Sequence, residues 1–353
     1  MDIYTINQDL NITGIISQFE SVIWNMQYFG KSDMELVVSA TQKNLDLLQP
    51  GTFLIRDIDI SQNNLNNIMV IEGRTIAEKE DKGYTLTIKG KGLKNILSRR
   101  IVWGQLNYEN ETVENIIRDV ITKNCINPDN TDRKIDNLIL APSNGYTETA
   151  TIQLFSENIG EWLESICTQY GYGWDIRISE GNFIFYIYKG KDRTYNSDDP
   201  VIFAPSYDNL YSSVYNNQLE NYANVALVGG EGEGIEKKTA DIGTATGLDR
   251  YEGYIDGSSV SSNEGVITEQ QYIDMLKAYG EEHIKEYQVK ETLEGTINPY
   301  GMYKLDQDYF LGDIVQVTNE KGIVSTPRIT EIIYSEDANG IKIVPTFTEW
   351  EVN

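Results

Sequence analysis

One histidine, two cysteines and eight prolines are all that a 353-residue chain carries of these three types. A lone histidine, His283, allows at most one histidine base and rules out a multi-histidine metal site. Two cysteines 42 positions apart, Cys125 and Cys167, supply neither a disulfide framework nor a four-ligand zinc site, and read as small buried fillers in a reducing compartment. Apolar runs are short as well. The longest, Phe183 to Tyr188, falls far below the roughly 20 residues of a membrane-spanning helix. Positive charge is scarce: 29 Lys and Arg stand against 54 Asp and Glu, a net charge of −25, so phosphate backbones and anionic lipid surfaces are repelled at long range. The opening residues Met1-Asp2-Ile3-Tyr4-Thr5 lack the basic and apolar regions of a secretory signal. Export, if any, is expected by another route, such as cell lysis.

With 40% hydrophobic and 24% charged residues the chain reads as globular, long enough for two or three domains. The expected class is α+β, mainly β. Period-2 alternation predicts strands from Asp33, over Gly51 to Ile60, over Ile68 to Ala77, and over Tyr84 to Lys89 with Tyr84, Leu86 and Ile88 inward. Lys82-Gly83 supplies a turn before the last of these, and Leu93, Ile96 and Leu97 fit a short helical face after it. From Val113 to Ile121 the apolar spacing turns helical. A strand over Thr149 to Phe155 precedes a second helix, with Ser156 as the expected N-cap, Ile159 to Tyr170 as its body and Gly171 as its stop. A hairpin is expected around Ser179 to Asn182. Strands resume at Val201, Ser212 and Asn224. Thr268 with Gln271 forms the pattern of a capping box for a helix running to about Tyr287, and the end of the chain from Phe310 returns to strands.

The chain also echoes itself. Gly51 to Ile55, Ile71 to Ile76 and Gly83 to Ile88 recur in order as Gly312 to Gln316, Arg328 to Ile332 and Gly340 to Pro345.

Chemical motifs are sparse. No metalloprotease, nucleophile-elbow, redox-dithiol or P-loop spacing occurs, and no catalytic, cofactor-binding or metal-binding residue is expected. Gly229 to Gly234 resembles a phosphate loop only in its glycines, since Glu231 and Glu233 would repel a phosphate and no helix follows. Asp129, Asp132 and Asp136 lack the register of a calcium loop. Residues 74 to 100 stand out, because Arg74, Lys79, Lys82, Lys89, Lys91, Lys94, Arg99 and Arg100 outnumber Glu78, Glu80 and Asp81 in an otherwise acidic chain. They are the candidate assembly interface.

Several phrases together resemble the bacteriophage tail hub proteins, the baseplate-hub or tail-tip family that caps the tail tube of siphophages and phage-derived bacteriocins. They are Leu47-Leu48-Gln49-Pro50-Gly51, Ile88 to Leu93 with Arg99-Arg100-Ile101, Tyr188 to Thr194, Val201-Ile202-Phe203 with Asp208-Asn209-Leu210, Asn224 to Gly234, and Leu311 to Val315. The resemblance implies two similar β-barrel tube domains in one chain, interrupted by α/β and helical insertions. The expected boundaries are 1–102 for the first barrel, 103–200 for a mixed α/β middle domain, 201–240 with 288–353 for a split second barrel, and 241–287 for a helical insertion. It also implies a homotrimeric ring at the virion tail tip or baseplate, with partners in the tail tube protein, a spike or tip protein and a tape-measure protein. It implies neither specific nucleic-acid binding nor membrane insertion. Unlike the longest relatives, the sequence ends soon after its last strand, with no appended enzymatic or receptor-binding domain expected. A peptidoglycan hydrolase and a glycan-binding adhesin are the rival readings, the latter suggested by 23 tyrosines and 5 tryptophans.

Overall fold

The computed structural model describes residues 1–7, 11–61, 65–79, 83–262, 266–322 and 324–348, with backbone alone for 290–294. In the first hundred residues lie strands β1 (Ile3–Ile6), β2 (Ile12–Ile16), β3 (Ser21–Gln27) and β4 (Asp33–Ser39), helix α1 (Gln42–Leu47), β5 (Phe53–Arg56), helix α2 (Asp57–Ser61), β6 (Met69–Lys79) and β7 (Gly83–Gly92). A 3₁₀ segment, Leu93–Arg99, follows. Alternation in β3 and β4 buries Val22, Trp24, Met26, Met34, Leu36 and Val38 on one face, as period 2 requires. The alternation of Asp57 to Ile60 misleads, however: these residues coil into α2, and Asp59 is drawn inside by Arg56. Tyr84 is likewise not inward, with 59% of its surface exposed. The turn residue Lys82 lies outside the described residues.

The middle of the chain holds β8 (Gln105–Thr112), α3 (Val113–Ile121), β9 (Leu138–Leu140), β10 (Thr149–Phe155), α4 (Ile159–Tyr170), β11 (Gly173–Ser179) and β12 (Asn182–Tyr188). Strands β8 and β10 pair antiparallel, and β11-β12-β9 form a second small sheet. Asn158, not Ser156, caps α4, its side-chain Oδ1 accepting from the Gly160 and Glu161 N–H groups; Ser156 adopts φ 70° instead. Gly171 ends the helix in the left-handed region at φ 68°. The core beneath these elements also takes in Ile6, Phe53, Ile55, Ile68, Leu93 and Leu97, so residues on both sides of position 102 share it.

The last third contains β13 (Asp192–Arg193), β14 (Ile202–Phe203), β15 (Leu210–Gln218), β16 (Val225–Gly229), β17 (Thr239–Ile242), β18 (Glu252–Asp256), α5 (Glu269–His283), β19 (Lys290–Ile297), β20 (Ile314–Thr318), β21 (Val324–Ser325), β22 (Arg328–Asp337) and β23 (Gly340–Thr348). The Thr268 and Gln271 capping box forms with both reciprocal bonds. Strands β17-β16-β18 make a sheet of their own, against which α5 packs Tyr272 and Leu276. These three strands, which lie in sequence between β15 and β19, thus stand apart from the sheet that holds those two.

The large sheet runs β15-β19-β23-β22-β3-β4-β7-β6-β5-β1-β2, with β20 also joined to β22. Within it, one five-strand order occurs twice: β3-β4-β7-β6-β5 and β15-β19-β23-β22-β20. The two hairpins match pair for pair in register, Lys79 opposite Gly83 in one and Asp337 opposite Gly340 in the other. Each carries an irregularity at the same place, between Ile71 and Gly73 and between Ile329 and Glu331. Gly51 N–H donates to the Ile71 carbonyl at 2.8 Å, and Gly312 N–H to that of Ile329 at 2.8 Å. These glycines sit at φ 87° and 96°, a backbone region that glycine occupies without steric cost. The three-strand echo in the sequence is thus part of a five-strand structural repeat. Neither copy closes into a barrel among the described residues. Instead β22 of the second copy pairs antiparallel with β3 of the first, from Glu331↔Gln27 to Asp337↔Ser21, fusing the two.

Candidate assembly interface

The joint between the two copies is built on an ion pair shielded from water. Arg56, at the end of β5, donates from Nε to Asp59 Oδ2 at 2.7 Å and from Nη2 to Oδ1 at 2.8 Å, and Asn67 donates to the same carboxylate at 2.9 Å. Both charged residues are about fully buried, at 1% and 0% exposure. Burial alone would lower the arginine's pKa, but the Asp59 carboxylate more than offsets it, so the guanidinium stays charged. That guanidinium lies over Trp24 of β3 and Tyr334 of β22. Burial and a 2.9 Å bond to Glu336 push the Tyr334 hydroxyl above its ordinary pKa.

Each copy of the repeat also presents one edge that no strand covers among the described residues. The backbone bonds of Gly51 and Thr52 to Ile71 are the last that the β5 side makes along β6, and from Arg74 to Lys79 every residue of β6 is exposed. Ile76 is 51% exposed although it lies opposite the buried Leu86. At the far end of the sheet β15 pairs only with β19, leaving Tyr211, Val214 and Tyr215 exposed. Exposed strand edges with apolar side chains are templates for pairing with another chain.

The basic residues singled out in the sequence do not form one surface patch. Lys89 faces Glu35 and Lys91 faces Asp33, each at 3.9 Å, while Lys79 reaches Glu20 at 3.5 Å. Arg74 donates to the Leu45 carbonyl at 3.0 Å. Arg99 pairs with Glu72 at 3.4 Å, and Arg100 donates to the Arg133 carbonyl at 2.9 Å. Lys82 lies outside the described residues. Lys94 is not at the surface: its ammonium donates to the carbonyls of Gln27 at 2.6 Å and Trp174 at 3.3 Å, and it lies 4.9 Å from the Trp174 ring centroid. Burial lowers its pKa against an opposing pull from Asp175. A lysine six residues from the end of a basic run gives no sign in sequence that its carbon stem will be swallowed by the core. Ile76 and Tyr215 escaped notice for the opposite reason, since each looks like an ordinary strand residue until its edge is seen to be open.

The chemically reactive side chains are quiet. Burial pushes the Cys125 thiol up to about 12 and raises that of Cys167 also, so neither is a ready nucleophile. His283 lies 3.1 Å from Glu286 on the α5 flank and 4.1 Å, centroid to centroid, from Tyr279. An open cleft of about 510 Å³ is bordered by Asp175, Tyr186, Tyr188, Asp306 and Asp313. Among the described residues no group of three His, Cys, Asp or Glu side chains is gathered as metal ligands require.

Over residues 1–347 the sequence matches the profile of the family described as Siphovirus ReqiPepy6 Gp37-like protein. No curated protein matches it. In structure it is similar to the tail protein from Neisseria meningitidis MC58, at TM-score 0.61 and 13% identity, over 98% of this chain and 96% of that one. The prophage MuSo2 43 kDa tail protein from Shewanella oneidensis superimposes at TM-score 0.57 and 15% identity, over 98% of each chain. Prophage tail protein gp18 from Listeria monocytogenes EGD-e does so at 0.53 and 11%, over 100% and 96%. The fold is that of phage tail proteins.

Proposed function

Because the chain belongs to the Siphovirus ReqiPepy6 Gp37-like family, we propose that it is a structural hub of a phage tail or phage-tail-like particle. Three copies form a ring that joins the sixfold tail tube to a threefold spike or tip around a central channel. The five-strand repeat carries this reading. Two equivalent sheet units per chain become six in a trimer, so one face can match sixfold symmetry while the whole remains threefold. In the ring each unit completes the tube barrel that a single chain leaves open. Domain assignment follows the same logic, with one tube unit near 1–102, a second split between the segment from 201 through β15 and residues 288–353, an α/β middle at 103–200 and an insertion between β15 and β19. Its partners are further copies of itself, the tail tube protein, the spike or tip protein and a tape-measure protein, at the tail tip or baseplate.

No catalytic step is part of this proposal, in keeping with the buried cysteines and the surface position of His283. Light scattering on the purified chain tests the ring: three times the chain mass is expected, and a particle end imaged with any symmetry other than threefold would overturn the reading. Release of soluble cell-wall fragments, lost on changing one carboxylate to its amide, would instead favour a hydrolase.

A further inference from the structure

We propose that β15 of one copy pairs antiparallel with the open edge of β6 in the next copy, placing Tyr215 directly opposite Ile76. This rests on the ring reading and specifies its joint. The argument is internal to the chain, because the joint the molecule already makes within itself uses the equivalents of these two edges.

Equivalence is fixed by counting from the hairpin glycines. Leu86 and Ile343 each stand three residues after their glycine, and opposite them lie Ile76 and Tyr334. Gly90 and Phe347 stand seven residues after theirs. Gly90 is opposite Met34, and Met34 opposite Trp24; Phe347 is opposite Leu293, and Leu293 opposite Tyr215. Ile76 therefore occupies the place of Tyr334, and Tyr215 the place of Trp24. Within the chain Tyr334 faces Trp24. Carrying that register across copies sets Ile76 against Tyr215, Ala77 against Val214, Glu78 against Ser213 and Lys79 against Ser212.

Surface chemistry agrees with that register. Tyr334 is 7% exposed and Trp24 0%, whereas Ile76 is 51% and Tyr215 37% exposed. The apolar pair that is sealed inside the chain has apolar counterparts left in water at both free edges. Ile76 and Tyr215 would cover one another on the core side, and Val214, 56% exposed, would cover Ala77 on the other. Neither edge can pair with its own kind in this register, so the contact is heterologous. Such contacts produce closed rings when the rotation per copy divides the circle. Three chains joined this way close a ring of six equal joints, three internal and three between copies, as the ring reading requires.

The test is cross-linking of the purified full chain carrying Ile76→Cys and Tyr215→Cys, using a short bis-maleimide that the buried native thiols should not reach. Covalent species of two and three chains are expected. The control pairs Ile76→Cys with Val214→Cys, whose side chains point to opposite sheet faces, and its yield should fall by about tenfold. Cross-linking of Tyr215→Cys alone would reveal β15 pairing with itself and overturn the proposal. Because both positions are exposed in the single chain, substitution there leaves folding intact, and charge provides a second readout. Ile76→Glu with Tyr215→Glu should weaken association more than Ile76→Lys with Tyr215→Glu, which sets opposite charges face to face. A three-chain mass with no cross-link and no charge rescue would overturn this pairing and leave the ring standing. A one-chain mass at every concentration would bring down both.

Discussion

Trp24 and Tyr334 stand directly opposite one another where the two halves of the large sheet meet, and the Arg56 guanidinium lies 5.5 Å from the first ring centroid and 5.1 Å from the second. A cation between two aromatic faces, held from behind by Asp59, locks β3, β5 and β22 to one another. Everything proposed for assembly depends on that joint being rigid.

Asp59→Ala should therefore be severe. It leaves the Arg56 charge buried without its partner, at a cost of about 3–5 kcal/mol. Replacing both members together, Arg56→Met with Asp59→Leu, should recover most of the loss because no charge is then stranded. Urea unfolding of the three proteins checks this, and a single variant within 1 kcal/mol of the parent, an amount on the order of an ordinary surface change, would refute it.

The two repeat-related glycines separate conformational strain from packing. A Cβ at Gly51 meets nothing within 4 Å, whereas one at Gly312 would lie 2.2 Å from Tyr28 Cε2. Alanine costs about 1 kcal/mol at either site for the left-handed backbone. At Gly312 it must also displace a ring whose hydroxyl donates to the Gly171 and Tyr188 carbonyls at 3.1 and 3.0 Å. Gly312→Ala should lower the melting temperature well beyond Gly51→Ala. Equal shifts would mean that the ring moves freely.

Asp175 supplies a pH signature. Burial raises its carboxyl from 3.8 to about 6, against opposing help from Lys94 and the Ile176 N–H. Since the folded value exceeds the unfolded one, its contribution to stability is complete below about 4 and is lost as pH climbs through about 6. Between those values the parent should lose stability relative to Asp175→Asn. Parallel stability curves across that window, followed by denaturant unfolding, would show that the carboxyl ionises at its ordinary pKa.

Arg99 lies at the surface in an exposed pair with Glu72, and Arg100 beside it is half-buried, donating to the Arg133 carbonyl at 2.9 Å. An exposed pair contributes little to folding, about 0–1 kcal/mol, and the Arg100 bond to a carbonyl about 1 kcal/mol more, so Arg99→Glu with Arg100→Glu should still fold, with a modest loss of stability. Ring or tube assembly should weaken, most visibly at low salt, where screening is least. Assembly that is indifferent to both the substitutions and salt would remove Arg99 and Arg100 from any contact between copies or with the tube.

What the sequence determined by itself is whatever depends on neighbours a few residues away. Apolar spacing placed α3 and α4, Thr268 and Gln271 announced their capping box, and the glycines before three repeated strands disclosed the duplication. Local period cannot say which strand lies beside which. The pairing of β22 with β3 joins residues some 300 positions apart, and it alone made one sheet of what the pattern divides in two. Tertiary contacts also reversed local readings. Asp57 to Ile60 coil because a buried arginine needs Asp59. Lys94 left the basic surface because its ammonium found two carbonyls inside. The open edges of β6 and β15 became visible only once every other strand had been assigned a neighbour, since an unpaired backbone is a property of the sheet and has no residue pattern of its own.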